Sequence, residues 1–172
     1  VGVEKKAENG DKVLELVPLK RPITIFDLIT QTSGTTYGFY GDTMVRRAYG
    51  NARIYDGDFD NAEFAGRIAQ LPLAEQPGTL WDYGQSTDIL GRVIEVASRK
   101  SLLQFERDSL LGPLGMIDTA FYVPYTDQKK RIALPIPPSR HLRVRFESPP
   151  PASLKTESGA AGRLPTLRDV SR

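Results

Sequence analysis

The sequence predicts an α+β protein that is mainly helical, with a few strands toward its carboxyl end. Two patterns indicate this class. Between about residues 22 and 116, segments that begin with capping residues carry apolar side chains at helical spacing. Beyond about residue 117 the apolar period changes to two, and proline-rich connectors occur. We therefore interpret residues 1–172 as a single domain, with a helical region at about 22–116 and a strand and loop region at about 117–165.

Composition excludes several kinds of site. The residues are 40% hydrophobic and 26% charged, which is ordinary for a soluble globular protein. There is no cysteine, and His141 is the only histidine. Disulfides, thiolate zinc sites and multi-histidine metal sites are therefore excluded, and we expect neither a metal nor a cofactor. A Ser-His-Asp triad would have to use His141, which we interpret instead as a surface residue.

The net charge of +2 conceals an asymmetry. Residues 129–172 carry ten Lys or Arg against three acidic residues, so the rest of the chain is net acidic. A basic segment is compatible with nucleic-acid binding. These cations are spread over strand-like and proline-rich sequence without a nucleic-acid motif, however. We therefore interpret them as a solvated face and expect no nucleic-acid partner.

The first predicted helix begins after Thr24. Its hydroxyl is placed to cap the backbone N–H groups, and Asp27 stands at the third helical position, near the positive end of the dipole. The pattern places three apolar residues on the inward face: Ile25, Leu28 and Ile29. We expect the helix to end near Ser33–Gly34, where glycine can adopt a left-handed conformation.

Three further helices are predicted. Asp60-x-x-Glu63 opens one and Ser101-x-x-Gln104 opens another, which Gly112 ends. The strongest helix covers 86–99. Its apolar side is Ile89, Leu90, Val93, Ile94 and Ala97. Its polar side is Asp88, Arg92, Glu95 and Arg99.

The remaining segments are assigned by their alternation and turn residues. An edge strand is predicted at 13–17, and further strands at 120–123 and 141–146. Residues 34–58 are rich in Gly, Tyr and Asp without a steady period, so we interpret them as a loop.

Four motifs follow one another along the chain. They read PITIFDLITQTSG at 22–34, PGTLWDYGQS at 77–86, LGPLGMIDTAF at 111–121 and, more weakly, ESGAAG at 157–162. Together they resemble the β-lactamase-like serine hydrolases, nearest the short-chain carboxylesterases of that group. The corresponding family motifs read ITIRDLLTHTSG, PGxxWxYS and GPLGMxDTxF, so Gln31 stands where the family usually has histidine. The resemblance implies a partial β-lactamase/transpeptidase-like domain, mainly its helical portion.

The resemblance implies a catalytic role for Tyr83. In the family a serine attacks the acyl carbon, a lysine one helical turn later (S-x-x-K) prepares the serine, and a tyrosine of a Y-x-N-type motif relays the proton. Tyr83 takes the place of that tyrosine. Gln85 takes the position of the asparagine, which makes it a substrate-pocket candidate. The alternative is that Tyr83 packs beside Trp81, since aromatic side chains usually serve burial.

The nucleophile motif does not occur in the sequence. None of the eight lysines has a serine three residues before it. The family places this motif several dozen residues before the TSG helix, which implies an internal fragment or a truncated relative. Ser33 and Ser158 each precede a glycine but lack the Gly-x-Ser-x-Gly setting, so we interpret both as structural.

Two functions remain open at this point. The first is a serine hydrolase that cleaves short acyl esters, or weakly β-lactams, through an acyl-enzyme. The second is a non-catalytic remnant or helical partner module of the same fold. Expected partners are the small-molecule ester or β-lactam, and the missing segments of the fold or a second copy. No apolar run approaches the ~20 residues that span a bilayer, so we expect a soluble protein, with the cytoplasm favoured.

Overall fold

The computed structural model describes residues 1–56, 58–121 and 157. Within them the chain forms an antiparallel hairpin of β1 (Gly2–Lys6) and β2 (Lys12–Leu16). The helices that follow are α1 (Ile25–Ile29), α2 (Met44–Asn51), α3 (Asn61–Ile68), α4 (Ser86–Ser98) and α5 (Leu102–Glu106), with a π-helical turn at Arg107–Leu111. The prediction of a mainly helical α+β chain is confirmed. No helix in this described part is long and apolar enough to cross a membrane.

The amino-terminal hairpin contains the predicted strand and one that the pattern missed. β2 coincides with the predicted segment 13–17 to within one residue. It pairs with β1 so that Gly2 lies opposite Leu16. Three of the five residues of β1 are charged, so no apolar alternation is visible in it. These charges pair across the hairpin, as in the contact of Lys12 Nζ with Glu4 Oε2 at 3.1 Å.

Helix α1 begins as predicted. Thr24 Oγ1 accepts the Asp27 N–H at 3.2 Å, and Asp27 Oδ2 accepts the Thr24 N–H at 2.8 Å, which completes a capping box. Asp27 also accepts two hydrogen bonds from the Arg21 guanidinium, at 2.6 and 2.7 Å. These bonds from Arg21, followed by those from Thr24, place the pKa of Asp27 well below its usual range.

The predicted inward face of α1 is wrong for two of its three residues. Leu28 is buried, but Ile25 and Ile29 are 56% and 64% exposed. These two side chains are one helical turn apart and form a single stripe that no described element covers. α1 has five residues and packs on α4. In so short a helix the spacing of apolar residues does not determine which of them face the neighbour.

Helix α1 also ends earlier than the predicted Ser33–Gly34. The Thr32 N–H binds the Asp27 carbonyl at 2.8 Å, and the Gln31 N–H approaches the Leu28 carbonyl at 3.4 Å. This pair of hydrogen bonds at the carboxyl end of the helix is a Schellman motif. Gln31 occupies its left-handed position with φ of 58°. A side chain costs roughly 1–2 kcal/mol in that conformation, so glycine is the usual residue.

Helix α2 lies in the segment 34–58, which the sequence pattern assigned to a loop. Thr43 caps it by accepting the Arg46 N–H at 3.2 Å. Val45 and Tyr49, one turn apart, are its buried residues. Only these two of its eight residues are buried, which is too few to show a helical period in the sequence. The core cluster that they enter comprises Val45, Tyr49, Ile54, Phe64 and Ile68.

Helices α3 and α4 form as predicted, but α4 buries more than its predicted apolar side. Asp60 caps α3 by accepting the Glu63 N–H at 2.8 Å. α4 packs on α1, α3 and α5, and on its apolar side Ile89 and Ile94 are partly buried against the two core clusters. Its buried residues are Ser86, Asp88 and Gly91. The prediction that Asp88 lies on the outer side is wrong. The amino end of α4 packs on the polar segment that follows α1, so polar side chains are buried there.

Helix α5 also begins at its predicted cap. Ser101 Oγ accepts the Gln104 N–H at 3.2 Å. Leu102 and Leu103 are buried in a second cluster together with Phe121. The π-helical turn continues α5 until Gly112, as expected from the glycine there. Both predicted ends of this helical segment are therefore confirmed.

Glu157, the first residue of the ESGAAG motif, lies between α3 and α5. Its carboxylate accepts the Leu103 N–H at 2.6 Å, and its N–H donates to Asn61 Oδ1 at 2.9 Å. The motif is thus attached to the helices at its first residue. Three predicted segments lie outside the described residues. They are the rest of the ESGAAG motif, the strand at 141–146, and the part of the strand at 120–123 that follows Phe121.

Candidate active site

Residues 31–36, here called the frame segment, bring the first two motifs together. Three of its residues are linked by backbone hydrogen bonds to the chain that leads toward Tyr83. The Ala74 N–H binds the Gly34 carbonyl at 2.8 Å, the Gly78 N–H binds the Thr32 carbonyl at 2.8 Å, and the Asp82 N–H binds the Gln31 carbonyl at 2.9 Å. The TSG motif thus forms the surface on which the PGTLWDYGQS motif lies.

Two glycines permit this close approach. A Cβ atom at Gly84 would lie 2.4 Å from the Thr35 carbonyl oxygen. A Cβ atom at Gly34, whose φ is 83°, would lie 2.2 Å from the Glu75 carbonyl oxygen. Both distances are far below van der Waals contact with backbone atoms, so each position requires glycine.

Buried hydroxyl groups connect the frame segment to the start of α4. Ser33 Oγ lies 2.8 Å from both Thr35 Oγ1 and Ser86 Oγ. All three residues are buried, and Ser33 is not exposed at all. Mutual hydrogen bonds compensate the burial of these polar groups. A serine in this environment is inaccessible to a substrate, which agrees with the structural interpretation of Ser33.

Tyr83 lies on the surface between two aromatic rings. Its side chain is 43% exposed. The Trp81 ring stacks on it at a centroid distance of 6.5 Å, and the Tyr37 ring is tilted against it at 5.4 Å. The phenol is therefore accessible while its ring is supported on both sides. This arrangement is compatible with both the catalytic and the packing interpretation.

Tyr37 faces Tyr83 as a neutral phenol. Burial raises the pKa of Tyr37 far above its usual value, and the negative charge of Asp88 acts in the same direction. A hydrogen bond with the Tyr83 side chain adds to this effect. The two phenols are thus in contact, with Tyr37 as the buried partner and Tyr83 as the exposed one.

Gln85 lies in the interior. It is not exposed, and its Nε2 donates to the Tyr55 hydroxyl. Its Oε1 is buried and accepts no hydrogen bond from any described residue. Buried acceptors without a donor are rare in proteins, so a donor from outside the described residues is expected here. The substrate-pocket candidate therefore offers one unused oxygen and no open surface of its own.

Sequence reasoning missed the contacts of two residues with the chain around Tyr83. Arg46 of α2 forms an ion pair with Asp82 at 2.7 Å, and both side chains are largely buried. Gln31 contacts the chain before Tyr83 through its carbonyl, which accepts the Asp82 N–H, and the chain after Tyr83 through its side chain, at Gly84 and Thr87. The sole signal for Gln31 was its place in the TSG motif. No signal indicated Arg46, because α2 itself was not predicted.

The arrangement of the helices around the frame segment is that of the helical part of the β-lactamase/transpeptidase-like fold. Residues 4–172 match the family model described as Beta-lactamase, so the chain belongs to the β-lactamase family. Protein Rv1367c of Mycobacterium tuberculosis is 34% identical over 154 residues, which cover 88% of this chain and 37% of that protein. Esterase EstB of Burkholderia gladioli is 32% identical over 173 residues, covering 87% of this chain and 43% of the esterase. Esterases and acyltransferases both occur among the relatives.

A solved structure shows the same fold. The protein described as "EstCE1, a hydrolase with promiscuous acyltransferase activity" superposes with a TM-score of 0.66 at 22% identity. The match covers 95% of this chain and 45% of that one. The chain thus spans less than half the length of each of these three proteins.

Proposed function

We propose that this chain is part of a serine hydrolase that cleaves short acyl esters, and that Tyr83 transfers the proton. The observation that carries the proposal is the accessible Tyr83 phenol on a loop bound on both sides to the frame segment and α4. Fixed placement of a proton-transfer group is what general acid–base catalysis requires. Membership of the β-lactamase family supports the same chemistry.

The proposed reaction has two acyl-transfer steps. In the first, a serine oxygen bonds to the ester carbonyl carbon, the bond to the alkoxide breaks, and the serine proton passes through Tyr83 to that leaving group. In the second, a water oxygen bonds to the acyl carbon, the bond to the serine oxygen breaks and releases the carboxylic acid, and a proton of that water passes through Tyr83 to the serine. Since this sequence contains no S-x-x-K, the proposal assigns the serine and its lysine to the rest of the protein.

Gln85 is proposed to contribute to the pocket from behind Tyr83. Its buried Oε1 accepts nothing from the described residues. A donor from outside the described residues, contributed by the rest of the pocket wall, would satisfy that oxygen. The proposal predicts that Gln85→Leu lowers substrate turnover more than Tyr55→Phe does, because Tyr55→Phe removes only the hydrogen bond between Gln85 Nε2 and the Tyr55 hydroxyl.

The test is Tyr83→Phe in the whole natural protein, with a short-chain 4-nitrophenyl ester as substrate. Loss of the transferring hydroxyl is expected to lower kcat on the order of 10²-fold or more. Tyr40→Phe is the matched control, because Tyr40 is similarly exposed and contacts the same Tyr37 ring but makes no ring contact with Tyr83 within the described part of the chain. A Tyr83→Phe enzyme as fast as Tyr40→Phe would rule out proton transfer by Tyr83.

A partner-module function is the second candidate, and an apolar groove favours it. The groove has a volume of about 660 Å³ between the hairpin, α3 and α4. Its apolar lining includes Leu16, Leu28, Ile68, Leu71, Leu73 and Ile89. We propose that further segments of the fold, or a second copy of the chain, cover this surface. Two results together would count against this: light scattering that shows the isolated chain to be a monomer, and urea denaturation that shows it to unfold cooperatively.

A fluorophosphonate label separates the two functions. The hydrolase proposal predicts covalent labelling of a serine in the whole protein and none within residues 1–172. Absence of labelling in the whole protein would favour the non-catalytic module. Labelling within this chain would contradict the placement of the nucleophile elsewhere.

A further inference from the structure

Gln31 has a backbone conformation that disfavours its side chain. Its φ is 58°, at the Schellman position of α1 where glycine is usual. Among the described residues other than glycine, only Arg53 and Arg99 share a positive φ. Strained residues persist where surrounding contacts determine them, and they cluster at functional sites. The contacts of Gln31 therefore indicate why a glutamine, rather than a glycine, occupies this left-handed position.

Those contacts lie on both sides of Tyr83. The Gln31 carbonyl accepts the Asp82 N–H at 2.9 Å. Its Oε1 faces the Gly84 N–H at 3.4 Å, and its Nε2 donates to the Thr87 hydroxyl at 2.9 Å. The residue before Tyr83, the residue after it and the first turn of α4 are thus bound to one residue. The Gly84 contact is long, whereas the other two have ordinary hydrogen-bond lengths.

We propose that Gln31 is a positioning residue for the Tyr83 phenol, a role that rests on the proposed function of Tyr83. A glycine at position 31 would close α1 without strain and would keep the carbonyl contact to Asp82. It would lose both side-chain contacts. The need to end α1 therefore does not explain a glutamine at this position. The hydrogen bonds of the Gln31 side chain to the chain around Tyr83 do explain it.

The expected effect falls on kcat. Displacement of a catalytic group by about 1 Å can lower a rate on the order of 10²-fold, even when the substituted residue touches no substrate. Gln31 lies behind the loop, so substrate binding should change little. We expect Gln31→Gly to lower kcat roughly 10- to 100-fold with KM within about threefold of the parent.

The matched control is Arg99→Gly in the same whole protein. Arg99 ends α4 with the same φ of 58° and is exposed, away from Tyr83. Both variants relieve a left-handed side chain, so each should leave Tm within about 3 °C of the parent. Only Gln31→Gly should lower kcat. A parent-like kcat in Gln31→Gly, or an equal loss in Arg99→Gly, overturns the proposal.

Gln31→Met separates hydrogen bonding from backbone conformation. Methionine keeps a side chain of similar length in the left-handed position but lacks the amide donor and acceptor. The proposal predicts the same loss of kcat as in Gln31→Gly. A Gln31→Met enzyme with the parent rate contradicts it.

Amide hydrogen exchange tests the attachment without any assay of activity. In Gln31→Gly the Gly84 amide should exchange faster, while the Asp82 amide, whose acceptor is the backbone carbonyl, should keep its rate. Unchanged exchange at Gly84 overturns the proposal whatever Tyr83 does. If Tyr83→Phe leaves the rate unchanged, the proposed function fails, and the exchange result still decides whether Gln31 fixes the loop.

Discussion

The two sides of the amino end of α4 differ in how far their groups find partners within this chain. One side is held by hydrogen bonds, whereas the other is an apolar surface that stays partly uncovered. On the Tyr83 side, backbone groups and the Ser33, Thr35 and Ser86 hydroxyls bind one another within the frame segment and α4, and among the described residues only Thr36 Oγ1 and Gln85 Oε1 lack a partner there. On the other side, Ile89 lines an apolar groove of about 660 Å³. Hydrogen bonds depend on a few local partners, whereas apolar burial depends on area. The placement of Tyr83 is thus specified within residues 31–87, while the groove depends on material from elsewhere.

The largest loss of stability is expected when the frame segment is forced away from Tyr83. Gly84→Ala places a Cβ atom 2.4 Å from the Thr35 carbonyl oxygen, and backbone must move to admit it. We expect a loss of roughly 2–3 kcal/mol in the free energy of unfolding, together with loss of esterase activity. Urea denaturation and a 4-nitrophenyl ester assay measure the two effects.

Gly66→Ala is the control for this substitution. Gly66 lies within α3, and a Cβ atom there would have no neighbour within 4 Å. Alanine in an open helical position should stabilise the protein by about 0.5–1 kcal/mol. Equal effects of the two substitutions would contradict the close approach of Gly84 to the frame segment.

The Arg46–Asp82 ion pair should have the next largest effect. Arg46→Met leaves a largely buried carboxylate without its guanidinium partner, and we expect a loss of about 2 kcal/mol. Adding Asp82→Asn removes that isolated charge and should restore part of the stability. A double-mutant cycle by urea denaturation checks this, and additive losses would show that the pair is not coupled.

Asp27 should make stability depend on acid pH. Its pKa in the folded protein lies below the unfolded value of about 3.9. The stabilisation from the ionised carboxylate is therefore present above about pH 4 and is lost as pH falls toward the folded pKa. Asp27→Asn should be less stable than the parent at neutral pH, and the difference should shrink in acid. A difference that stays constant between about pH 7 and pH 3 would contradict this assignment.

The smallest effect in the isolated chain should come from the exposed stripe of α1. Ile25 and Ile29 are each more than half exposed, so replacing both with lysine should change the stability of the isolated chain by less than about 0.5 kcal/mol. The same pair should reduce self-association, measured by light scattering. In the whole protein the double substitution should be strongly destabilising if other segments cover the stripe. Tolerance in both contexts would argue that the stripe is simply surface.

Local chemistry explains which elements the sequence pattern could predict. The caps at Thr24, Asp60 and Ser101 were predictable because each needs only a side-chain oxygen three residues from its N–H donor. The helix predicted at 86–99 likewise coincides with α4 (Ser86–Ser98), so the sequence placed Tyr83 just before that helix. These features depend on neighbours in sequence, so spacing reveals them.

The features that spacing did not reveal depend on distant contacts. Helix α2 is stabilised by Val45 and Tyr49 in a core built with α3, and nothing nearby in sequence indicates that core. Asp88 is buried because polar residues of the frame segment lie beside the start of α4. The left-handed Gln31 was unexpected because propensity favours glycine there. In each case tertiary contacts outweighed local preference.

The most direct test of the central claim is the rate of acyl-enzyme formation in the whole protein with Tyr83→Phe. Rapid mixing with a 4-nitrophenyl ester resolves the burst of nitrophenol that accompanies acylation of the serine. If Tyr83 transfers the proton, the burst rate should fall on the order of 10²-fold while the Tyr40→Phe control keeps the parent rate. A burst of parent speed in Tyr83→Phe would show that Tyr83 only packs beside Trp81.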